Sequence, residues 1–134
     1  MRLTIFDPTG QERFKSVPRS FYKRADGIIL SYDMTTQSSF DNIMGWVADI
    51  SEETNDYIPK ILVATKSDLE EMRVVSPAKG LELAQTLKIR FFETSAKDDT
   101  NVTETFDSLI QDCQGSRSES ISLSRKKVSK KKCC

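Results

Sequence analysis

Short apolar runs alternate with amphipathic stretches along most of this chain, and this alternation restricts the fold more than any other feature. Continuous apolar runs of this length are typical of strands in a parallel sheet that is covered on both faces. Four runs have this character: Leu3–Phe6, Gly27–Tyr32, Ile61–Ala64 and Arg90–Glu93. The sequence therefore predicts an α/β fold with a mainly parallel sheet and flanking helices.

Apolar residues at helical spacing fill the intervals between these runs. One pattern follows Ser38-Ser39, and another follows Ser76-Pro77, which suits an N-cap with proline in the first turn. A third follows Asn101, with Glu104 three residues later as in a capping box. A short helix is also predicted over Arg19–Arg24. The apolar positions of the three patterns are Phe40, Ile43, Met44, Val47 and Ile50; Leu81, Ala84 and Leu87; and Val102, Phe106, Leu109, Ile110 and Cys113.

The last helical pattern ends at Gly115, and a serine-rich, basic sequence follows it. Such a composition buries too little apolar surface to offset the entropy of ordering. We therefore expect one domain over residues 1–115 and a disordered tail over residues 116–134. The tail has seven Lys or Arg and one Glu, so the rest of this neutral chain has a net charge of −6. An acidic body argues against nucleic acid as a partner.

Two cysteines, Cys133 and Cys134, close the tail behind clusters of basic residues. Adjacent cysteines lack normal disulfide geometry, and a chain end is normally solvated. Stable membrane anchoring takes two lipid chains, or one chain and a polybasic patch. The tail therefore predicts a lipid attachment site, and the alternative is a solvated tail with incidental thiols. Because no signal peptide is recognisable, we expect a cytoplasmic protein that associates with the cytoplasmic face of a membrane.

Polar loops follow three of the predicted strands: Asp7–Glu12, Thr65–Asp68 and Thr94–Lys97. In open α/β sheets, ligands bind at the carboxyl ends of the strands. Together with Tyr32–Thr35 and the terminal Cys133-Cys134, these loops resemble the Ras-superfamily small GTPases, and the Rab family most closely. The resemblance implies a P-loop small-GTPase fold that binds GTP or GDP with Mg²⁺ and acts as a switch in vesicle-mediated membrane traffic.

The resemblance also implies a role for each matching residue. Asp7 would hold Mg²⁺ through water, Gly10 would donate its backbone N–H to the γ-phosphate, and Gln11 would orient the attacking water. Asp68 would accept two hydrogen bonds from guanine, and Lys66 would lay its alkyl stem along the base. The other expected nucleotide contacts are Thr65, Ser95, Ala96 and Lys97, the last three through the loop that contacts the guanine carbonyl.

The phosphate-binding loop, G-x-x-x-x-G-K-[S/T], does not occur in this sequence. The backbone of that loop cradles the phosphates, and its Ser or Thr binds Mg²⁺. By resemblance, the first strands and switch I of the fold are missing as well. We therefore expect a truncated fold in which residues 26–113 form a three-stranded sheet with an open edge and the N-terminal segment is loosely held. We also expect little or no GTP hydrolysis by this chain.

The matching loops depart from the family pattern at three positions. Pro8 and Thr9 follow Asp7 where the family has Thr-Ala, and Thr65 stands where the family usually has Asn. Proline fixes its own φ and lacks an N–H, and Thr can replace only one hydrogen bond of the Asn amide. The guanine end is therefore better preserved than the catalytic end.

Three functions remain open from the sequence. The first is a Rab-type GTPase switch, which requires a segment upstream of Met1. The second is a non-catalytic, prenylated interaction module, and the third is an inert truncated product. For the first two, the resemblance implies geranylgeranyl groups on Cys133 and Cys134. It further implies Rab escort protein, prenyltransferase, GDP-dissociation inhibitor and effectors as partners.

Overall fold

Three parallel strands form the sheet in a computed structural model that describes residues 2–6, 19–54 and 58–124. The strands are β1 (Ile28–Asp33), β2 (Lys60–Thr65) and β3 (Arg90–Glu93), and they lie in that order. Ile28 of β1 is in register with Lys60 of β2, and Ile61 of β2 with Arg90 of β3. The predicted α/β class and the three-stranded parallel sheet are confirmed.

Helices cover both faces of this sheet, because its strands present apolar side chains on both sides. The helices are α1 (Arg19–Arg24), α2 (Gln37–Asp41), α3 (Ile43–Glu53), α4 (Pro77–Leu87) and α5 (Val102–Ser124), and a short 3₁₀ turn spans Glu70–Met72. The main core cluster joins Leu30, Tyr32, Met34, Ile43, Ile50, Leu62, Ala64, Val75 and Ala84. Alternate residues of β2 point to the opposite face, and α5 packs against that strand.

The start of α4 follows the local rules of helix initiation. Lys79 N donates to Ser76 Oγ at 3.3 Å, and Pro77 is the first helical residue. The predicted cap is therefore confirmed. The pattern that follows Ser38-Ser39 is divided by Asn42 into two helices, of which α3 buries Ile43 and Ile50 in the core.

The predicted end of the last helix is wrong, because α5 continues past Gly115 to Ser124. A glycine inside a helix costs about 1 kcal/mol relative to alanine, which weakens the helix without ending it. Among the described residues outside the local helix, no atom lies within 4 Å of a Cβ built on Gly115, which is exposed on the helix surface. The division of the chain at residue 115 stays a prediction, and residues 125–134 lie outside the described residues.

The predicted strand over Leu3–Phe6 is also wrong, because residues 2–6 form neither helix nor strand. Leu3, Ile5 and Phe6 are 46%, 62% and 64% exposed. Within the described residues β1 is an edge strand, as expected, and no further strand supplies a partner for this segment. No helix in the described part of the chain combines the length and the apolarity that a bilayer crossing requires.

Candidate functional site

Two predicted loops meet at the carboxyl edge of the sheet. The first follows β2 at Thr65, and the second follows β3 at Thr94. Ser67 N donates to Thr94 O at 2.9 Å, and Thr94 N donates to Ala64 O at 2.7 Å. These backbone bonds connect the loops directly, so the parallel sheet brings together residues that are about 30 positions apart in the sequence.

A side-chain hydrogen bond between the two loops joins Ser95 and Asp68. Ser95 is fully buried, and its Oγ donates to Asp68 Oδ1 at 2.8 Å. Asp98 N donates to the same Oγ at 3.0 Å, and the Ser95 backbone exchanges two hydrogen bonds with Thr100. Ser95 therefore holds one oxygen of a half-buried carboxylate in a fixed direction. No described residue bonds the other oxygen, which leaves the carboxylate able to accept further N–H donors.

The loop beyond Ser95 is exposed and tightly turned. Ala96 and Lys97 are both exposed, and Asp99 and Asn101 have positive φ angles of 55° and 57°. Asn101 Nδ2 donates to Glu93 O at 2.9 Å, which closes the loop against the end of β3. The Asn101 amide thus supports the loop, in addition to standing immediately before α5.

The other loop places Lys66 beside the end of β1. Lys66 Nζ lies 2.7 Å from Asp33 Oδ2, and Thr65 Oγ1 donates to Tyr32 O at 3.1 Å. Burial works against ionisation of Asp33, but hydrogen bonds from Lys66 and Thr35 outweigh it and lower the pKa of the carboxyl to about 2. Asp33 was not among the predicted site residues. The only signal was its place in the family-like stretch Tyr32–Thr35, to which no role was attached.

An ion-pair network around Arg73 connects the 3₁₀ turn to the end of β3, next to the site. Arg73 donates through Nη1 and Nη2 to the two oxygens of Glu93, at 2.7 and 2.9 Å. Its Nε donates to Glu70, and its Nη1 also reaches Val75 O. The Arg73 side chain is only 12% exposed, and the two carboxylates raise its pKa above the usual value. The network ties the 3₁₀ turn to the strand that ends in the site.

Five predicted site residues lie outside the described residues: Asp7, Gly10, Gln11, Cys133 and Cys134. The described ranges contain no group of three His, Cys, Asp or Glu residues that could hold a metal ion. Mg²⁺ normally binds through one or two carboxylates together with substrate phosphates. The single predicted ligand, Asp7, therefore stays a prediction.

A separate cavity of about 1020 Å³ lies at the opposite edge of the sheet, where Lys60 and Arg90 begin β2 and β3. Its lining includes Leu30, Val47 and Ile89, and none of the predicted nucleotide contacts. The candidate site is therefore the pair of converging loops and not this cavity.

Comparison with known proteins identifies the family to which the chain belongs. The model of the Ras family matches residues 1–115. The chain is 39% identical over 140 residues to the Ras-related protein RabC of Dictyostelium discoideum, an alignment that covers the whole chain and 71% of RabC. It is 46% identical to the Ras-related protein RAB1BV of Beta vulgaris and 45% identical to the GTP-binding protein yptV2 of Volvox carteri. Each alignment covers 84% of the chain.

The chain spans about half the length of these last two relatives, 53% and 52%. The family model and the three alignments nevertheless agree on one assignment. The chain belongs to the Ras family of small GTPases, in its Rab group.

Proposed function

We propose that the converging loops recognise guanine, and that the chain serves as the base-recognising part of a Rab-type switch in vesicle-mediated membrane traffic. The supporting observation is the Ser95–Asp68 hydrogen bond of 2.8 Å, which orients a carboxylate at the carboxyl edge of the sheet. Asp68 accepts hydrogen bonds from the two adjacent N–H groups of guanine, and adenine does not present that pair of donors. Lys66 and Thr65 flank the base, and the backbone of Ser95, Ala96 and Lys97 faces its carbonyl.

Phosphate binding by this chain is expected to be weak, because its sequence contains no G-x-x-x-x-G-K-[S/T] loop. Asp7, Gly10 and Gln11 would contribute the Mg²⁺-bound water, the γ-phosphate contact and the orientation of the attacking water. These contacts require phosphates that another segment holds in place. We therefore propose that this chain alone binds GTP or GDP poorly and hydrolyses GTP little or not at all.

Titration of the ¹⁵N-labelled chain with GMP and AMP tests guanine recognition without depending on Mg²⁺ or the outer phosphates. We expect GMP to shift the amide signals of Asp68, Ser95, Ala96 and Lys97 at concentrations where AMP does not. Asp68→Ala should weaken GMP binding by tenfold or more, because hydrogen bonds to a charged group contribute about 1.5–3 kcal/mol. Asp41→Asn changes an exposed carboxylate outside the site and is the matched control. Equal shifts with GMP and AMP would contradict the proposal.

The tail supports a second part of the proposed function, attachment to the cytoplasmic face of a membrane. Cys133 and Cys134 would each accept a geranylgeranyl group, and the net charge of +6 over residues 116–134 would supplement the lipid on an anionic surface. Rab escort protein, prenyltransferase, GDP-dissociation inhibitor and effectors are the partners that this implies. The mass of the C-terminal peptide from cells tests it, and unmodified cysteines would contradict it.

A non-catalytic interaction module is the second candidate function. The observation that favours it is the apolar segment at the N-terminus, where Ile5 and Phe6 are each more than 60% exposed. Large exposed apolar side chains that lie close together are typical of interaction sites. Absence of any guanine preference in the titration, together with membrane attachment of the tail, would favour this candidate over the switch. An inert product would show neither property.

A further inference from the structure

Lys66 has an unusual backbone for a lysine. Its φ of 63° lies in the left-handed region, which non-glycine residues adopt infrequently. Leu69 N donates to Lys66 O at 3.0 Å, and Ser67 N donates across to Thr94 O at 2.9 Å. The turn therefore fixes the direction in which the lysine side chain leaves the end of β2.

The other end of the same side chain is also held. Lys66 Nζ lies 2.7 Å from Asp33 Oδ2, although the lysine side chain is 55% exposed. A lysine normally extends into water with considerable rotamer freedom. With both the backbone and the ammonium held, the four-carbon stem becomes a fixed apolar strip between the ends of β1 and β2.

Asp33 is itself well anchored. Thr35 donates to Asp33 Oδ1 through its backbone N at 2.8 Å and through Oγ1 at 2.6 Å. Oδ2 contacts the lysine at 2.7 Å and accepts a longer hydrogen bond from Thr36 Oγ1 at 3.4 Å. Asp33 N donates to Ser39 Oγ at 2.9 Å. Asp33 also pairs in register with Thr65, the residue before Lys66. β1 and the turn after it therefore set the position of the carboxylate, and this position does not depend on the contact with the lysine.

An incidental surface ion pair is the simpler explanation of this contact, and such pairs stabilise proteins little. Two features argue against it. One carboxylate oxygen accepts from Thr35, and Lys66 makes the shortest contact with the other, which also accepts from Thr36 at 3.4 Å. The lysine also occupies an uncommon backbone conformation at the edge where the base is expected.

We propose that Asp33 is a positioning residue for guanine recognition: by holding Lys66 Nζ, it fixes the lysine stem as the surface on which the base lies. This inference rests on the proposed function. It adds a residue of β1 to a site that the two loops would otherwise form alone. This arrangement should increase ligand affinity through preorganisation, because the lysine side chain loses its rotamer freedom before the base binds.

The test uses the full chain and measures GMP affinity by NMR titration, with AMP as the control ligand. Asp33→Asn keeps the shape of the side chain and removes its charge, Lys66→Met keeps an apolar stem and removes the ammonium, and Asp41→Asn controls for loss of an acidic group. We expect Asp33→Asn to weaken GMP binding by fivefold or more and Asp41→Asn to leave it unchanged. The double variant should bind GMP no more weakly than the weaker of the two single variants, because the changes act through one interaction.

Unchanged GMP affinity in Asp33→Asn would overturn the inference. A double variant whose loss of GMP affinity equals the product of the two single losses would also overturn it, because the residues would then act independently. A loss of thermal stability without a change in GMP affinity would leave Asp33 a purely structural residue, and it also counts against the inference. These outcomes differ from failure of the proposed function, in which the parent chain itself does not prefer GMP to AMP.

A second measurement keeps the Asp33–Lys66 contact testable in that case. Acetylation of lysines by a soluble reagent, followed residue by residue by mass spectrometry, compares Lys66 with Lys79, an exposed lysine of α4. We expect Asp33→Asn to raise the labelling rate of Lys66 by several-fold relative to Lys79. Equal rates in the parent chain and the variant would show that Asp33 does not hold the ammonium.

Discussion

Gly80 is a point of close contact between α4 and the sheet. A Cβ built on this residue would lie 2.4 Å from the Tyr32 hydroxyl oxygen and 2.5 Å from Phe91 Cζ. Both rings belong to strands and are packed in or against the core, so neither can move away freely. The absence of a side chain at Gly80 is therefore what allows the helix to seat on β1 and β3.

We predict that Gly80→Ala destabilises the chain by about 1–3 kcal/mol, the usual cost of overpacking a core, despite the better helix propensity of alanine. The matched control is Gly45→Ala in α3, where nothing lies within 4 Å of the added Cβ. That change should stabilise by about 0.5–1 kcal/mol. Urea unfolding of both variants measures the difference, and equal shifts in the same direction would refute the account of Gly80.

Asp33 makes the stability of the folded chain depend on pH in the acid range. Its folded pKa of about 2 lies below the unfolded value of about 3.9. A depressed carboxyl pKa contributes stability above the unfolded pKa, and this contribution is lost as the pH falls through the folded pKa. The loss therefore occurs between about pH 4 and pH 2.

The lowered pKa corresponds to at most about 2.6 kcal/mol of stability at neutral pH, since each pKa unit is worth about 1.4 kcal/mol. Because the Lys66 side chain is 55% exposed, water screens the pair, and we predict a contribution of about 1–2 kcal/mol. Urea unfolding at pH 6, 4 and 2.5 should show a steeper loss of stability for the parent chain than for Asp33→Asn. Parallel pH profiles for the two proteins would mean that the carboxyl has an ordinary pKa in the folded state.

The residues of the site differ in how far the sequence could predict them. Asp68 and Ser95 stand in short motifs at strand ends, and the structure brings them into contact as the parallel sheet requires. Asp33 could not be found in this way, because its contact with Lys66 joins the end of β1 to the loop after β2. Which of 20 acidic residues meets a given lysine depends on strand register, which the sequence does not display.

At the level of secondary structure, Arg73 links the 3₁₀ turn to β3. Its guanidinium bonds both oxygens of Glu93 and is almost enclosed. Truncating one partner of a fully buried ion pair costs about 3–5 kcal/mol, and this pair is part-buried, with Glu93 24% exposed, so its cost lies at the low end. Glu93 lies near the buried Tyr32 hydroxyl, where burial and this carboxylate raise the pKa of the tyrosine to about 12.

We predict that Arg73→Met lowers the free energy of unfolding by about 3 kcal/mol, and that the double variant Arg73→Met/Glu93→Gln recovers part of the loss. Arg24→Met, at an exposed position of α1, is the control and should change stability by less than about 0.5 kcal/mol. Chemical denaturation measures all three. A small effect of Arg73→Met alone would indicate that the network is solvent-screened.

Strands were predicted closely where both faces are buried, and poorly elsewhere. The runs Gly27–Tyr32, Ile61–Ala64 and Arg90–Glu93 differ from the observed strands by at most one residue at each end, because continuous apolar sequence suits a covered parallel sheet. Leu3–Phe6 has the same apolar character but does not pair with any strand of the sheet. At Gly115, the glycine indicated a helix end, but the helical hydrogen bonding continues through this residue to Ser124.

For the molecule as a whole, the outer side of β1 is an open edge of the sheet within the described residues. Ile28 N and Met34 N donate to residues on the β2 side, so the alternate residues Ile29 and Ser31 direct their N–H and C=O groups away from the sheet. Among the described residues no strand covers this side. Open edges of this kind promote association between chains.

We predict that Ser31→Lys slows concentration-dependent self-association, because a charged side chain on an edge strand discourages pairing. Ser31 is exposed, so the folded state should tolerate the change. Ser38→Lys adds the same charge at an exposed position of α2 and is the control. Light scattering over a range of chain concentrations measures the effect, and equal association in both variants would show that the β1 edge is not responsible.

The length of α5 has a mechanical consequence for the end of the chain. The helix rises about 1.5 Å per residue, so the nine residues after Gly115 extend it by roughly 13 Å in a single direction. The end of a flexible linker can lie in any direction from its start. A helix, in contrast, fixes both the direction and the distance of its end. Anything joined beyond Ser124 is therefore offset from the sheet along one axis, and a surface that bound the terminus would meet a restricted range of orientations of the carboxyl edge of the sheet.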